Sequence, residues 1–422
     1  MEKLSLVLVF FAILLLTETV QADDLKVYGI FQVELANFIM DDKNPAKDSK
    51  EDGRQLVDEN MGRIGVLATE DVTFGMEDSI PMKAIAKLEF GSDSADGDSD
   101  TAADENSELT KGIALTKREL MGGLKGEFGQ VEIGRLKSEY KYKGGIQYDP
   151  FYGTTLEARN NGGMTGNEAN EFIIPFGGAS VSEWGHNGFN SEMIGYRSPM
   201  IAGFSFGMTY GAQKDDSSYT IGVKWEVPVG EIVAAVVNTG DRNDIIVVNT
   251  DPVSGLPAGT TTDLENEYNA YKIGGQLRWA GGAQKISVQM EHGKNKFSWP
   301  GAGASALPPF DVAGTSQYEV DTLFAGYQGT FPTLSRWVFV VQMGTQEFTG
   351  DAVKDDFGNE PDATNYVAGG VIYRISSRTR LFGGTRITDR QAKVSDDGNS
   401  QRWQDDGGET VFSIGFRKDF SS

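Results

Sequence analysis

The sequence contains no cysteine and only two histidines in 422 residues. That rules out disulfides, thiolate metal sites and a cysteine nucleophile, and leaves little from which to build a zinc centre. Proline is scarce, at 13. Positive charge is outweighed, with 38 Lys and Arg against 61 Asp and Glu for a net −23, whereas nucleic-acid binding draws its affinity from basic patches. Beyond the N-terminus no segment approaches the roughly eighteen consecutive apolar residues that mark a membrane-crossing helix. The composition gives no reason to expect a nucleic-acid partner, a metal or a cofactor.

What is present begins with an address. Glu2 and Lys3 precede an apolar run from Leu4 to Leu16, and Val20-Gln21-Ala22 then offers a small-x-small cleavage site. This reads as a secretory signal peptide, dividing the chain into residues 1–22 and one domain, 23–422, with no internal linker. Glycine is abundant, at 53 residues, above the usual share of roughly 7%. Many strands joined by tight turns produce such a composition.

From Leu25 onward the hydrophobic period is two. Leu25, Val27, Phe31, Val33 and Leu35 alternate with Lys26, Tyr28, Gln32 and Glu34, a strand with one apolar and one polar face. Met82, Ala84, Ala86, Leu88 and Phe90 alternate with Lys83, Ile85, Lys87 and Glu89, and near the end Leu381 and Ile387 oppose Arg380, Phe382 and Arg386. About sixteen such segments begin near residues 25, 60, 82, 112, 128, 192, 203, 217, 231, 270, 284, 319, 336, 364, 378 and 409. Their connections alternate between tight turns, such as 125–127 and 376–378, and long polar stretches, such as 93–111 and 241–269. Long loops at one end and tight turns at the other, on strands of about nine to eleven residues, are the signature of a transmembrane β-barrel.

Lipid enforces the closure. Every backbone group must be paired within the protein, so a spanning sheet has to close on itself. Apolar side chains then face acyl chains and polar ones a wet lumen, which reconciles a membrane location with a mean hydropathy of −0.33. A secreted soluble sandwich shares the period, but it packs two apolar faces together and does not send long loops to alternate connections. The expected fold class is all-β: a transmembrane antiparallel up-and-down β-barrel of sixteen strands.

Between two of the clearest strands lies Glu139 to Asn190, a stretch with little periodicity. It holds Glu157, Glu168, Glu171 and Glu183, the run Ile174-Pro175-Phe176-Gly177-Gly178, and His186. A loop this long is either a solvated surface segment or one that folds into the space the strands enclose. Other signals carry less. Gly203-Phe204-Ser205-Phe206-Gly207 matches G-x-S-x-G but lies in an alternating strand, not the strand-to-helix turn that a nucleophile elbow needs. Ser182, Glu183 and His186 are sequence neighbours, and a triad is a spatial constellation rather than a local one. Asp93, Asp96, Asp98 and Asp100 have calcium-loop spacing without the bidentate acid that closes an EF-hand. No enzyme is expected; a barrel-borne hydrolase is the alternative from another class.

Several stretches resemble the trimeric general porins of Gram-negative outer membranes. Leu25-Lys26-Val27-Tyr28-Gly29 resembles the family's opening strand and Gly62-Arg63-Ile64-Gly65 its second. The run from Gly123 to Arg135 resembles the hairpin before the long third loop, and Pro175-Phe176-Gly177-Gly178 the core of that loop. Tyr196-Arg197-Ser198-Pro199 resembles the hairpin after it, and Ile414 to Phe420 the C-terminal assembly signal, here followed by Ser421 and Ser422.

The resemblance implies a sixteen-stranded barrel, a homotrimer in the outer membrane among its lipid and lipopolysaccharide, and a third loop folded inward. It implies passive diffusion of ions and small hydrophilic solutes past a constriction that sets loop acids against wall bases; a porin preferring one solute class is the alternative. Arg63 and Arg118 match family wall arginines, and strand parity turns Arg63, Lys87, Arg380 and Arg386 inward beside them. Glu171 aligns with one family acid, whereas Pro175 stands where a second often sits. Arg135 shares parity with Val131 and Ile133 and therefore faces outward, where the family places a contact between subunits. Lys117 and Glu119 are expected outward as well, acceptable only against another protomer. The acidic outer loops favour cations at the mouth.

Overall fold

In a computed structural model the described residues are 24–40, 53–57, 62–72, 81–93, 114–159, 161–165, 189–212, 217–247, 261–299, 314–354, 357–389, 391–395, 401–405 and 408–421. Sixteen strands form one antiparallel sheet. The first eight are β1 (Asp24–Met40), β2 (Arg63–Val72), β3 (Met82–Asp93), β4 (Ala114–Gly126), β5 (Gly129–Lys137), β6 (Phe189–Arg197), β7 (Phe204–Ala212) and β8 (Ser217–Val227). The rest are β9 (Gly230–Val247), β10 (Thr261–Trp279), β11 (Gln284–Trp299), β12 (Gly314–Gly329), β13 (Trp337–Thr349), β14 (Thr364–Ser376), β15 (Thr379–Thr388) and β16 (Glu409–Ser421). Each pairs with its chain neighbours, and β1 pairs with β16 as well as β2, setting Tyr28 opposite Ser421 and Asp24 opposite Thr69. The sheet is closed, as lipid requires of it. A short segment, Gly53–Val57, continues the β2 edge along β1.

The alternation works as expected. Phe31 and Leu35 are each 49% exposed on the outside of β1, while Gln32 and Glu34 between them are 3% and 2% exposed inside. Ile286, Val288 and Met290, and likewise Val341 and Met343, present an apolar exterior. Towards the short-turn end this band is edged by aromatic rings, Trp337 beside Tyr373 at 4.8 Å and Trp279 beside Tyr327 at 6.5 Å between centroids, the amphipathic side chains that favour a membrane interface. Towards the other end the outward positions become charged: His292 Nδ1 meets Asp321 at 2.9 Å and Lys294 meets Glu319 at 3.1 Å.

Some strands are longer than the pattern indicates. β10 begins at Thr261, not near 270, because its ladder with β9 resumes beyond a shift at Thr239/Arg242 and runs to Val247 opposite Thr261. A backbone ladder does not require hydrophobic alternation, so a strand can run on beyond the stretch whose pattern reveals it.

The third long connection folds inward. Ser138 caps a single helical turn, Glu139–Tyr142, by accepting from Lys141 N at 3.0 Å, and a 3-10 turn at Gly145–Gln147 follows. The chain then crosses the lumen. Tyr148, Phe151, Leu156, Ala158 and Met164 pack with Val233 of β9, Phe324 of β12, Val338 and Val340 of β13, Tyr366, Ala368 and Ile372 of β14 and Phe382 of β15. Beneath the loop the lumenal wall thus carries an apolar patch, drawn mainly from β12 to β15, beside buried polar groups such as Gln289 and Gln342. Full burial of each large side chain contributes about 1.5–3 kcal/mol.

Polar ties fix the loop's position. Thr155 donates its N–H to Glu34 at 3.0 Å, and its carbonyl accepts from Arg386 Nη1 at 2.9 Å. Leu156 O accepts from Gln342 Nε2 at 3.2 Å and Tyr366 OH at 2.5 Å, and Tyr140 OH donates to Glu291 at 3.0 Å.

Leu156 is 0% exposed, and its truncation to Ala is expected to weaken the loop's seat by about 2–5 kcal/mol. Trypsin cleavage after buried Arg159 measures this: the wild-type barrel resists, and Leu156→Ala is cut at that bond while the strands stay intact. Equal resistance in both proteins would show that the apolar seat does not hold the loop.

Candidate functional site

On the wall formed by β1 to β4, charged side chains converge. Their placement depends on a bulge. Between β3 and β4 the register shifts, with Glu89 opposite Glu119 and Phe90 opposite Lys117, so Arg118 is the extra residue. Arg118 and Glu119 consequently both serve the lumenal side. Glu119 was expected to face outward; it is 8% exposed and pairs with Lys87, because parity counting cannot register an inserted residue. The side chain of Lys117 lies outside the described residues.

Glu89 is the hub. It accepts from Tyr28 OH and Arg118 Nε, each at 2.8 Å, with Lys87 Nζ at 3.7 Å and Arg63 Nη1 at 3.9 Å. Three expected pore bases, Arg63, Lys87 and Arg118, therefore share two carboxylates, Glu89 and Glu119. Arg118 also lies 4.6 Å from the Phe189 ring, and Lys141 of the loop sits 4.9 Å from the same ring, a favourable stacking for cations. Nearby, Arg197 ties wall to loop through Glu139 at 2.6 Å and Glu132 at 2.7 Å.

Two cavities lie beside the loop towards the short turns. One, of 480 Å³, has Arg63, Arg118, Lys141, Arg374, Arg380 and Arg417 among its lining and Asp149 and Asp419 as its acids. The other, of 770 Å³, is lined by Lys87, Lys137 and Arg197 together with Glu119 and Glu132. The described passage is therefore predominantly basic.

The remaining expected residues separate. Arg380 faces the first cavity. Arg386 faces inward but lies under the loop, 3% exposed, bonded to Thr155 O, Asn161 Oδ1 and Glu409. Arg135 sits opposite exposed Leu120 on the outer face, donating to Arg118 O at 3.1 Å and Ser191 Oγ at 2.9 Å, so it bridges to β4 and β6. Glu168, Glu171, Glu183, His186, the run 174–178 and the signal segment lie outside the described residues. Ser205 stands within β7 opposite Lys224, not on a turn.

Sequence reasoning passed over Glu89 as a hub and the row of Arg374 and Arg417. Parity alone would have turned all three inward. The apolar seat had a signal too: Trp337-Val338-Phe339-Val340-Val341 is apolar on both faces, which a strand between lipid and water does not need.

Asp149 organises the loop's apex, accepting from Phe151 N at 2.8 Å and Ala158 N at 2.6 Å. Burial, reinforced by the neighbouring Glu157 carboxylate, pushes its pKa from 3.8 up to about 7 despite those two amides and Gln342. A released loop would ionise near the ordinary value, so the seated loop gains stability from the protonated form. That gain is full below about 3.8 and disappears as pH rises through about 7. Hydrogen exchange across 149–165, corrected for intrinsic rate, is expected to quicken from pH 5 to pH 8 in the wild type but not in Asp149→Asn. A wild-type loop indifferent to pH would contradict this.

The sequence pattern of Gram-negative porins matches residues 5–392, whereas no curated protein matches. Among solved structures, the anion-selective porin from Comamonas acidovorans superposes with a TM-score of 0.57 at 17% identity, over 94% of this chain and 99% of that one. The trimer form of in-vitro folded OmpT from Vibrio cholerae gives 0.55 at 14%, over 94% and 99%. Salmonella typhi OmpF in complex with daunomycin gives 0.52 at 14%, over 94% and 97%. At these identities the structures speak for the fold alone, while the sequence match speaks for descent. A closed sheet with its apolar side outward belongs in a bilayer, and the match supplies which one: this chain is a member of the Gram-negative porin family, outer-membrane channels through which solutes diffuse passively.

Proposed function

We propose that the chain works as a homotrimer of channels without enzymatic activity, exported by its N-terminal signal segment, in which the passage beside the third loop favours small anionic solutes. The basic passage carries this reading. Three cations against two carboxylates around Glu89 leave one net positive charge, and the adjoining cavity adds Arg374, Arg380 and Arg417. Rings of one charge sign select permeating ions when the walls lie within about a Debye length of them. The acidic outer segments, which favour cations at the mouth, lie outside the described residues. Arg63, Lys87, Arg118 and Arg380 are the proposed wall bases, Glu171 the proposed opposing loop acid, and Arg386 an anchor for the loop.

The outer surface supports assembly. The rings of Trp279, Tyr327, Trp337 and Tyr373 edge the arc from β10 to β14, whereas Ala68, Ala84, Ala86 and Gly122 give β2 to β4 a smooth exterior next to Arg135. One copy of OmpT is itself described as a trimer. Lys296, exposed and outward beyond the apolar band, suits the anionic headgroups of lipopolysaccharide. Ser205, paired in the ladder of β7 opposite Lys224 instead of on a strand-to-helix turn, supports a channel without hydrolase chemistry.

Planar-bilayer recording of the refolded mature protein under a potassium chloride gradient tests this. Conductance should arrive in steps of three, with a reversal potential favouring chloride. Arg118→Ala takes the Glu89 cluster from one net positive charge to none, and the anion preference should fall severalfold. A cation-selective wild type would place control in the acidic outer segments instead.

A further inference from the structure

Most lumenal charges are answered by a neighbour, but one group is not. At the short-turn end β14, β15 and β16 set three arginines in a row, with Arg374 opposite Arg380 and Arg380 opposite Arg417. Adjacent strands lie only about 4.8 Å apart, and like charges directly opposite one another oppose pairing. Among the described residues only Arg417 meets an acid, Asp419, with Nε to Oδ1 at 2.6 Å and Nη2 to Oδ2 at 3.2 Å. Arg374 and Arg380 form no ion pair there. Lys285, from the wall beyond β13, lines the same 480 Å³ cavity. Four cations thus face one another across a confined space whose acids are Asp419, beside the row, and Asp149 of the loop.

We propose that Arg374, Arg380 and Arg417 form a binding site for a compact divalent oxyanion of the phosphate class at the inner end of the passage. The inference rests on the channel reading and names the solute class for it. Guanidinium forks match phosphate oxygens two at a time, and a tetrahedral ion offers an oxygen to each of three forks in adjacent strands. Chloride brings one charge and no directional acceptors. A linear dicarboxylate carries the same charge but divides it between two planar groups, so no single centre offers an oxygen to all three forks. The row shares its cavity with Arg63 and Arg118 of the Glu89 cluster, but those two bases are already engaged by Glu89.

The test is block of chloride current by inorganic phosphate added on the short-turn side, with succinate as a second probe. Phosphate should reduce the wild-type current in a saturable manner, with succinate weaker and rising salt weakening both. Loss of one charge-assisted fork should raise the half-blocking phosphate concentration about tenfold in Arg380→Gln, measured against that variant's own phosphate-free chloride current. Arg374→Gln, nearer the rim, provides the same comparison if Arg380→Gln does not assemble. Chloride current indifferent to phosphate, or equal block in wild type and variants, would overturn the site and leave the channel standing. Stronger block by succinate would overturn the phosphate class, and absence of any chloride current would overturn the channel reading itself.

Discussion

The structure depends on one loop residue whose two backbone groups are held from opposite sides. Thr155 gives its N–H to Glu34 and receives Arg386 at its carbonyl. Each of these side chains is also bound to β16, Glu34 through Ser413 and Arg386 through Glu409. The clamp therefore sits across the seam where β15, β16 and β1 close the barrel. Losing one partner of a buried charged group costs more than the bond itself contributes, so a barrel with the loop withdrawn would leave Glu34 with Ser413, and Arg386 with Glu409, as what remains of the clamp. Closure and loop placement support each other.

From that clamp the division of the lumen follows. On one side the loop covers Val338, Val340, Tyr366 and Phe382, inward apolar groups that would otherwise face water. On the other it leaves Glu119 and the bases around Glu89 lining the cavities. The bulge at Arg118 places an arginine and a glutamate together on the lumenal side, and Glu89 then fixes three cations in one cluster. Charge is strongly patterned within the passage although the chain as a whole is acidic.

Much of this was legible in the sequence, and the failures have physical causes. Period-two alternation located the sixteen strands because lipid on one side and water on the other impose opposite chemistry on adjacent residues. It underestimated β10, whose backbone ladder with β9 runs on beyond the alternating stretch. It misplaced Glu119 because an inserted residue reverses parity without changing composition. It turned Arg386 inward correctly, but it could not tell an arginine lining a passage from one lying beneath a loop, since both have the same parity. The loop's inward course was one of two readings until the apolar pairs on β13 met Phe151 and Leu156.

The most direct test of the clamp uses the absence of cysteine. Ala158→Cys places a single thiol at a loop position that is 0% exposed, and a membrane-impermeant thiol reagent then reports whether the loop is seated. The account predicts slow labelling of Ala158→Cys alone, accelerated about tenfold or more when Arg386→Ala is added. Labelling as fast as that of an exposed turn thiol such as Gly281→Cys, without any change at Arg386, would contradict it.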